Sequence, residues 1–229
     1  MRRTVTAATA LALVAGAAMW FVTGAVAQGG GTIEADVKYG GAAQIEKLKV
    51  NKDTEKCGSE ATVEKVVVGG NKGLANAVVS VPGAKGTTKA KATIDQHGCK
   101  FVPHVVVMQP GEIEIKNSDD ILHNIHTYST ANPSINKAQP KFKKTMTEKL
   151  EKPEFVKMTC DVHSWMLGWV AVVPGLAGVT DKDGVTKIEN VPAGKQKIEV
   201  WHETLGKQEK EVDVKAGQVT KVSFEMKGK

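Results

Sequence analysis

Residues 32–39 alternate apolar and polar side chains, with Ile33, Ala35, Val37 and Tyr39 on one face. A period of two marks a strand that buries one side. Residues 112–116 repeat the pattern with Ile113 and Ile115. Further β-rich runs lie at 63–68, 75–81, 101–108, 121–128, 156–160 and 169–173, and again at 197–202, 212–215 and 218–226. Gly40-Gly41, Gly69-Gly70, Pro82-Gly83, Pro110-Gly111 and Pro174-Gly175 punctuate them. Residues 85–91 read as a Lys/Gly/Thr loop, and Asp181-Lys182-Asp183-Gly184 as a hairpin turn between short strands. Only the polar region 134–151 admits a helix. There is no tandem repeat. The spacing is that of β-sandwiches, so the chain is predicted to be all-β.

The first residues follow another pattern. Arg2 and Arg3 precede an apolar run from Ala7 to Trp20, which continues weakly to Val26 and ends in Ala25-Val26-Ala27 before Gln28. This has the form of a secretory signal peptide over residues 1–27. An uncleaved anchor is the alternative, but the run contains Gly and Thr and ends in a small-residue cleavage pattern. No other stretch is long enough to span a bilayer, so no membrane span is expected after cleavage. The expected location is periplasmic or secreted, where disulfides persist.

Composition narrows the class. The 229 residues are 24% charged and 41% hydrophobic, a balance that argues for folded domains over disorder. The formal charge of +6 becomes +4 once the two leader arginines are gone. Three cysteines are too few for a disulfide-built miniprotein, and an odd number leaves at least one thiol outside any internal disulfide.

The sharpest chemical signal is Cys160-Asp161-Val162-His163-Ser164-Trp165-Met166, which gathers thiolate, imidazole and thioether at a strand end. A second imidazole lies upstream in Asn117-Ser118-Asp119-Asp120-Ile121-Leu122-His123. Two His, one Cys and a weakly bound Met are the ligand set of a blue-copper electron-transfer site. Thiolate and thioether favour Cu(I), imidazole also suits Cu(II), and a near-trigonal site serves both. A single cysteine argues against a thiolate-bridged pair of coppers. Structural zinc sites use four Cys or His ligands and rarely Met. Burial of Cys beside Met in an ordinary core would leave the two histidines unexplained.

With these residues in view, the chain resembles the cupredoxins. The Cys160-x-x-His163-x-x-Met166 spacing is similar to the short ligand loop of amicyanin. Phe101-x-Pro103, Pro110-Gly111-Glu112, Asn117-x-Asp119 and His123-Asn124-Ile125-His126 are also cupredoxin-like and stand in the right order. The resemblance implies a Greek-key β-sandwich over residues 91–174. It implies one type 1 copper held by His123, Cys160, His163 and Met166, with the Asn124 N–H supporting the Cys160 sulfur. A less specific resemblance covers Val179-Thr180-Asp181 through Asn190-Val191-Pro192-Ala193-Gly194 and Lys197-Ile198-Glu199-Val200. This looks like the second half of a carboxypeptidase regulatory-like, transthyretin-like sandwich, with a first half upstream at 31–41 and 74–81. It implies a second small β-sandwich over 31–90 and 175–229, interrupted by the cupredoxin, with two consecutive domains as the alternative.

Several residues carry two readings. Cys57 and Cys99 either pair in a disulfide, which balances the cysteine count, or join Glu60, His97 and His104 in a second metal site. His126 lies three residues from His123, an odd spacing that puts the two on opposite faces of a strand, and is read as structural. Trp165 either shields the metal or only packs. His202 is read as a packing or surface residue. Asp181-x-Asp183-Gly184 lacks the further acidic ligands of a calcium loop and reads as a turn.

The expected function is an exported, mononuclear, one-electron copper carrier exchanging electrons with a cytochrome, dehydrogenase or oxidase. The alternatives are a copper chaperone or storage protein, and a non-catalytic interaction module with structural metal. No Ser/His/Asp elbow, phosphate loop or zinc-protease motif points to an enzyme, and no His-x-His pair offers the further ligands of a multicopper enzyme. Lys137, Lys141, Lys143, Lys144, Lys149 and Lys152 form a basic stretch that either is simply solvated or steers an acidic redox partner. Nucleic acid is not an expected partner.

Overall fold

The computed structural model describes residues 29–86 and 92–228. The expected signal segment, residues 1–27, lies outside the described residues, as do residues 87–91 of the Lys/Gly/Thr loop. The fold is all-β. In chain order the strands are β1 (Gly31–Tyr39), β2 (Gln44–Lys49), β3 (Glu60–Val66), β4 (Val78–Pro82), β5 (Ala92–His97), β6 (Lys100–Val102), β7 (Val105–Met108), β8 (Gly111–Asn117) and β9 (His123–Tyr128). There follow β10 (Asn136–Gln139), β11 (Thr145–Leu150), β12 (Glu154–Thr159), β13 (Leu167–Val172), β14 (Gly175–Val179), β15 (Val185–Val191), β16 (Gly194–His202), β17 (Gly206–Val214) and β18 (Val219–Met226). A single helical turn, α1 (Thr54–Cys57), lies between β2 and β3.

Strands from the two ends of the chain share a sheet of order β15-β1-β18, which faces a second sheet of order β14-β4-β16-β17. β1 runs parallel to β18 in unbroken register from Thr32↔Val219 to Tyr39↔Met226. Its alternation places Ile33, Ala35 and Val37 inward, fully buried, against Val79, Val81, Ile198, Val200 and Phe224. A separate core lies between the sheets β10-β9-β12-β13-β7 and β11-β8-β5-β6. There Ile113 and Ile115 of β8 meet Ile94, Phe101, Ile125, Val156, Met158 and Val170. β3 enters both cores: Ala61 and Val63, with the nearby Val50, pack into this second one, whereas Val66 packs into the first. The expected range 31–90 is therefore divided between two cores. Between the sandwiches, Phe155 stacks on Trp201 at 4.2 Å, and His104 and Trp169 both bond the carboxylate of Glu203.

Three local expectations are corrected. Region 134–151 is not helical. Met146 and Leu150 are buried two pleats apart on β11, opposite Ile115 and Gly111 of β8, and the intervening polar residues hid this period of two. The single run 101–108 is two strands, β6 and β7, divided at Pro103-His104. Asp181–Gly184 is a turn, with Asp181 Oδ1 accepting the N–H groups of Asp183 and Val185 at 2.9 and 3.0 Å. Its flanking strands, however, lie in different sheets, β14 on β4 and β15 on β1, so they do not form a hairpin.

Candidate metal centre

His123 opens β9, Cys160 follows the last residue of β12, and His163 lies in the short loop leading to β13. β9 and β12 are hydrogen-bonded neighbours, so the strand pairing itself brings His123 and Cys160 together. The loops are then tied side chain to backbone. Asn124 Oδ1 accepts the Asp161 N–H, and Asn124 Nδ2 reaches Asp161 Oδ2 at 3.2 Å. Asn117 is buried and bonds the Ile121 and Gln139 carbonyls, both at 3.0 Å, which shapes the loop ahead of His123. The Met166 N–H donates to the His163 carbonyl at 2.9 Å, closing the turn from His163 to Met166.

Three donor atoms meet at the centre of this arrangement. Cys160 Sγ lies 3.9 Å from His123 Nδ1 and 3.8 Å from His163 Nδ1, and the two Nδ1 atoms are 3.0 Å apart. Both imidazoles are completely buried and Cys160 is 2% exposed. Met166 is buried in the same core. The outer nitrogens are held by carboxylates: His123 Nε2 lies 2.9 Å from Asp119 Oδ2, and His163 Nε2 lies 2.9 Å from Asp53 Oδ2. A carboxylate oxygen accepts, so each Nε2 carries a hydrogen, and a ring that carries only that hydrogen turns an acceptor lone pair inward on Nδ1. Two such lone pairs 3.0 Å apart repel unless a cation stands between them. The point equidistant from the three donors lies about 2.1 Å from each. That is the range of metal–imidazole bonds and close to the ~2.3 Å of a metal–thiolate bond. The donor set and spacing therefore fit a single soft or borderline ion.

The local electrostatics suit the same occupant. Burial pushes the Asp119 carboxyl up, but the N–H groups of Cys99 and Gly98 and the His123 ring outweigh it, and the carboxyl is held below its ordinary range. Burial lowers the pKa of His123 against the opposing pull of Asp119, which keeps the ring neutral at pH 7. Burial raises the pKa of the Cys160 thiol above its ordinary value, opposed by the backbone N–H groups of Asn124, His163 and Val162. Without a cation the sulfur stays protonated, and a bound cation displaces that proton. The Asn124 N–H lies 3.4 Å from Cys160 Sγ, where the resemblance implied a supporting donor.

The remaining histidines lie elsewhere. His126 turns to the other side of β9, where it bonds Asp161 at 2.8 Å and stacks on Tyr128. Cys57 and Cys99 are joined in a disulfide, His104 bonds Glu203 and His97 is exposed, so the second metal site is not formed. Among the described residues, the other group with metal spacing is Cys99, Asp119 and His123, which shares His123 and has its sulfur in the disulfide. Trp165 packs 5.2 Å from the His163 ring and donates to the Cys99 carbonyl at 3.2 Å. His202 is buried. Sequence reasoning missed Asp53 and the role of Asp119. Asp119 left a trace, four residues before a candidate ligand, whereas Asp53 left none.

The chain matches no family model and no curated protein. Among solved structures it is similar to a purple cupredoxin from Nitrosopumilus maritimus, at 20% identity and a TM-score of 0.31, covering 35% of this chain and 98% of that one. It is also similar to amicyanin from Paracoccus versutus, at 17% identity and a TM-score of 0.33, covering 47% of this chain and 97% of that one. A third likeness is to a copper-containing nitrite reductase from Thermus scotoductus SA-01, at 23% identity and a TM-score of 0.33. It covers 41% of this chain but only 25% of the reductase. At these identities and scores, the metal chemistry is left to the chain's own donor atoms.

Proposed function

We propose that this is an exported, mononuclear type 1 copper protein that carries single electrons between other proteins. The observation that supports it above all is the buried triangle of His123 Nδ1, His163 Nδ1 and Cys160 Sγ, with both Nδ1 lone pairs aimed inward by carboxylates. Copper in this site would supply a one-electron couple. The chain's part is to hold thiolate and imidazoles in a trigonal array suited to both oxidation states, to offer Met166 as a weak fourth ligand, and to exclude water. Rigid, dry ligands limit rearrangement as charge changes, which favours transfer of electrons over release of the ion. A chaperone would need an exchangeable, exposed site, and the complete burial of both histidines speaks against one. A catalytic copper centre would need further ligands, and the only other metal-spaced group among the described residues shares His123.

In this reading residues 91–174, with residues 48–63 packed onto them, form the cupredoxin unit. The sandwich built from both ends of the chain is a transthyretin-like support into which it is inserted. The partner is a redox protein with an acidic surface. Phe142, 83% exposed, sits between Lys141 and Lys143, and Lys144 bonds the Asp119 carbonyl at 3.3 Å, so this basic face adjoins the loop that anchors His123. A visible absorption spectrum of copper-loaded protein tests the function: strong thiolate-to-copper charge transfer is expected, and its absence would sink the reading.

A further inference from the structure

The two imidazoles are anchored by carboxylates of different origin. Asp119 is local to His123, but Asp53 comes from the connection between β2 and β3, 110 residues before His163. Asp53 opens α1, where an aspartate ordinarily turns its side chain onto the free N–H groups of its own helix. It makes no such cap; its backbone is left-handed, at φ 50° and ψ 38°, and its carboxylate runs to His163. Its carbonyl accepts the Lys56 and Cys57 N–H groups, both at 2.9 Å, which fixes Cys57 relative to it. Cys57 is bonded to Cys99. The Gly98 and Cys99 N–H groups then hold the two oxygens of Asp119, at 2.8 and 2.9 Å, and Asp119 holds His123. A continuous outer frame therefore runs from His163 through Asp53, the disulfide and Asp119 to His123.

We propose that Asp53 is a positioning residue for the metal and that the Cys57–Cys99 disulfide is the strut coupling it to Asp119. The proposal rests on the copper reading. A ring whose Nε2–H is fixed by a carboxylate presents only Nδ1 to an ion and is a stronger donor through it. Asp119 can do this for His123 from the adjacent loop. His163 lies in a short loop with no acidic neighbour placed to do the same, and the chain supplies one from the far hairpin. The side chain of Asp53 also lies over the outer nitrogen of His163, which has no exposure of its own.

Two substitutions separate this role from a purely structural one. Asn and Gly both tolerate the left-handed backbone of residue 53, but only Asn keeps an acceptor oxygen. The tautomer of His163 is read in the metal-free full-length protein by two-bond nitrogen–proton NMR, and Cu(I) affinity by competition with bicinchoninate. In wild type both histidines should hold the Nε2–H form. Asp53→Gly should give a mixed tautomer at His163 alone and bind Cu(I) about 10–100-fold more weakly. Asp53→Asn should recover the single tautomer and most of the affinity. Reducing the disulfide of the folded wild type, or Cys57→Ala with Cys99→Ala, should loosen both histidines. An unchanged His163 tautomer or Cu(I) affinity in Asp53→Gly overturns the positioning role. Unchanged histidines after disulfide reduction overturn the strut. A wild type lacking the thiolate-to-copper band overturns the copper reading instead, and the NMR arm still decides on Asp53.

Discussion

Asp53 Oδ2 lies 2.9 Å from His163 Nε2, although 110 residues separate them, and Asp119 makes a contact of the same length to His123. The face that each ring turns towards Cys160 is thus chosen by a residue outside the Cys160–Met166 loop. Two consequences follow from the geometry. The fold itself places the three donor atoms, and the two Nδ1 atoms stand close enough for one ion to bridge them.

The sulfur should supply both the colour and the proton. Burial raises the Cys160 thiol above its ordinary value, so at pH 7 copper binding is expected to release the thiol proton into solution. Proton release measured in weak buffer should fall by about one per copper in Cys160→Ser, and the charge-transfer band should vanish with it. A band that persists without the thiolate would remove Cys160 from the site.

Met166 should tune rather than hold. An axial thioether is a weak, long ligand whose main effect is on potential. Met166→Leu nearly conserves volume, so packing should change by less than about 1.5 kcal/mol. Copper should remain bound, with a clearly shifted potential in cyclic voltammetry. An unshifted potential would assign Met166 to packing alone.

Legibility in the sequence followed contiguity. Cys160, His163 and Met166 lie within seven residues, so their chemistry shows without a fold. Ile33, Ala35 and Val37, or Ile113 and Ile115, declare strands because one face is buried and the other wet. β11 was hidden because Met146 and Leu150 are its only buried apolar residues and polar side chains separate them. Asp53 had no signal, since only the folded hairpin brings it to His163. The pairing of Cys57 with Cys99 was reachable by parity, but its role in linking two carboxylates was not.

A pH effect should arise far from the metal. His202 is 1% exposed, and burial pushes its pKa down to about 4 from 6.5, with Glu203 opposing and His104 adding to the effect. The folded state therefore binds fewer protons than the unfolded chain between those values. The stabilisation is complete above pH 6.5 and is lost as pH falls towards 4. Urea unfolding should show a loss between pH 7.5 and pH 5 that is smaller by about 2 kcal/mol in His202→Gln, the remainder including the buried His123. Parallel losses in both proteins would mean that His202 is not the group responsible.

The shared sheet predicts how truncation spreads. Removing residues 175–229 takes away β15 and β18, the two partners of β1, and uncovers Ile33, Ala35 and Val37. Amide protection over Gly31–Tyr39 should collapse, while β8, β9 and β12, whose partners remain, keep theirs. Protection of β1 in the truncated chain would contradict the pairing.

The last prediction separates electron transfer from copper delivery. His123 and His163 are wholly buried and Cys160 nearly so, so a chelator has no ligand to attack until a loop opens. The outer frame through Asp53, the disulfide and Asp119 opposes such opening. Cu(I) should therefore remain bound for hours against bicinchoninate, while electrons exchange rapidly with a small acidic redox protein. Electron exchange needs no ligand to leave, so the two rates are independent. If Lys141, Lys143 and their neighbours attract that partner, added salt should slow the exchange, because the Debye length falls from about 10 Å at 0.1 M to about 3 Å at 1 M. Replacing Lys141 and Lys143 with Gln should reproduce the loss at low salt and flatten the salt dependence. Stopped-flow electron exchange and copper retention, read on the same sample, decide the matter. Rapid Cu(I) loss with negligible electron exchange would favour delivery, and salt-independent exchange would place the partner on another face.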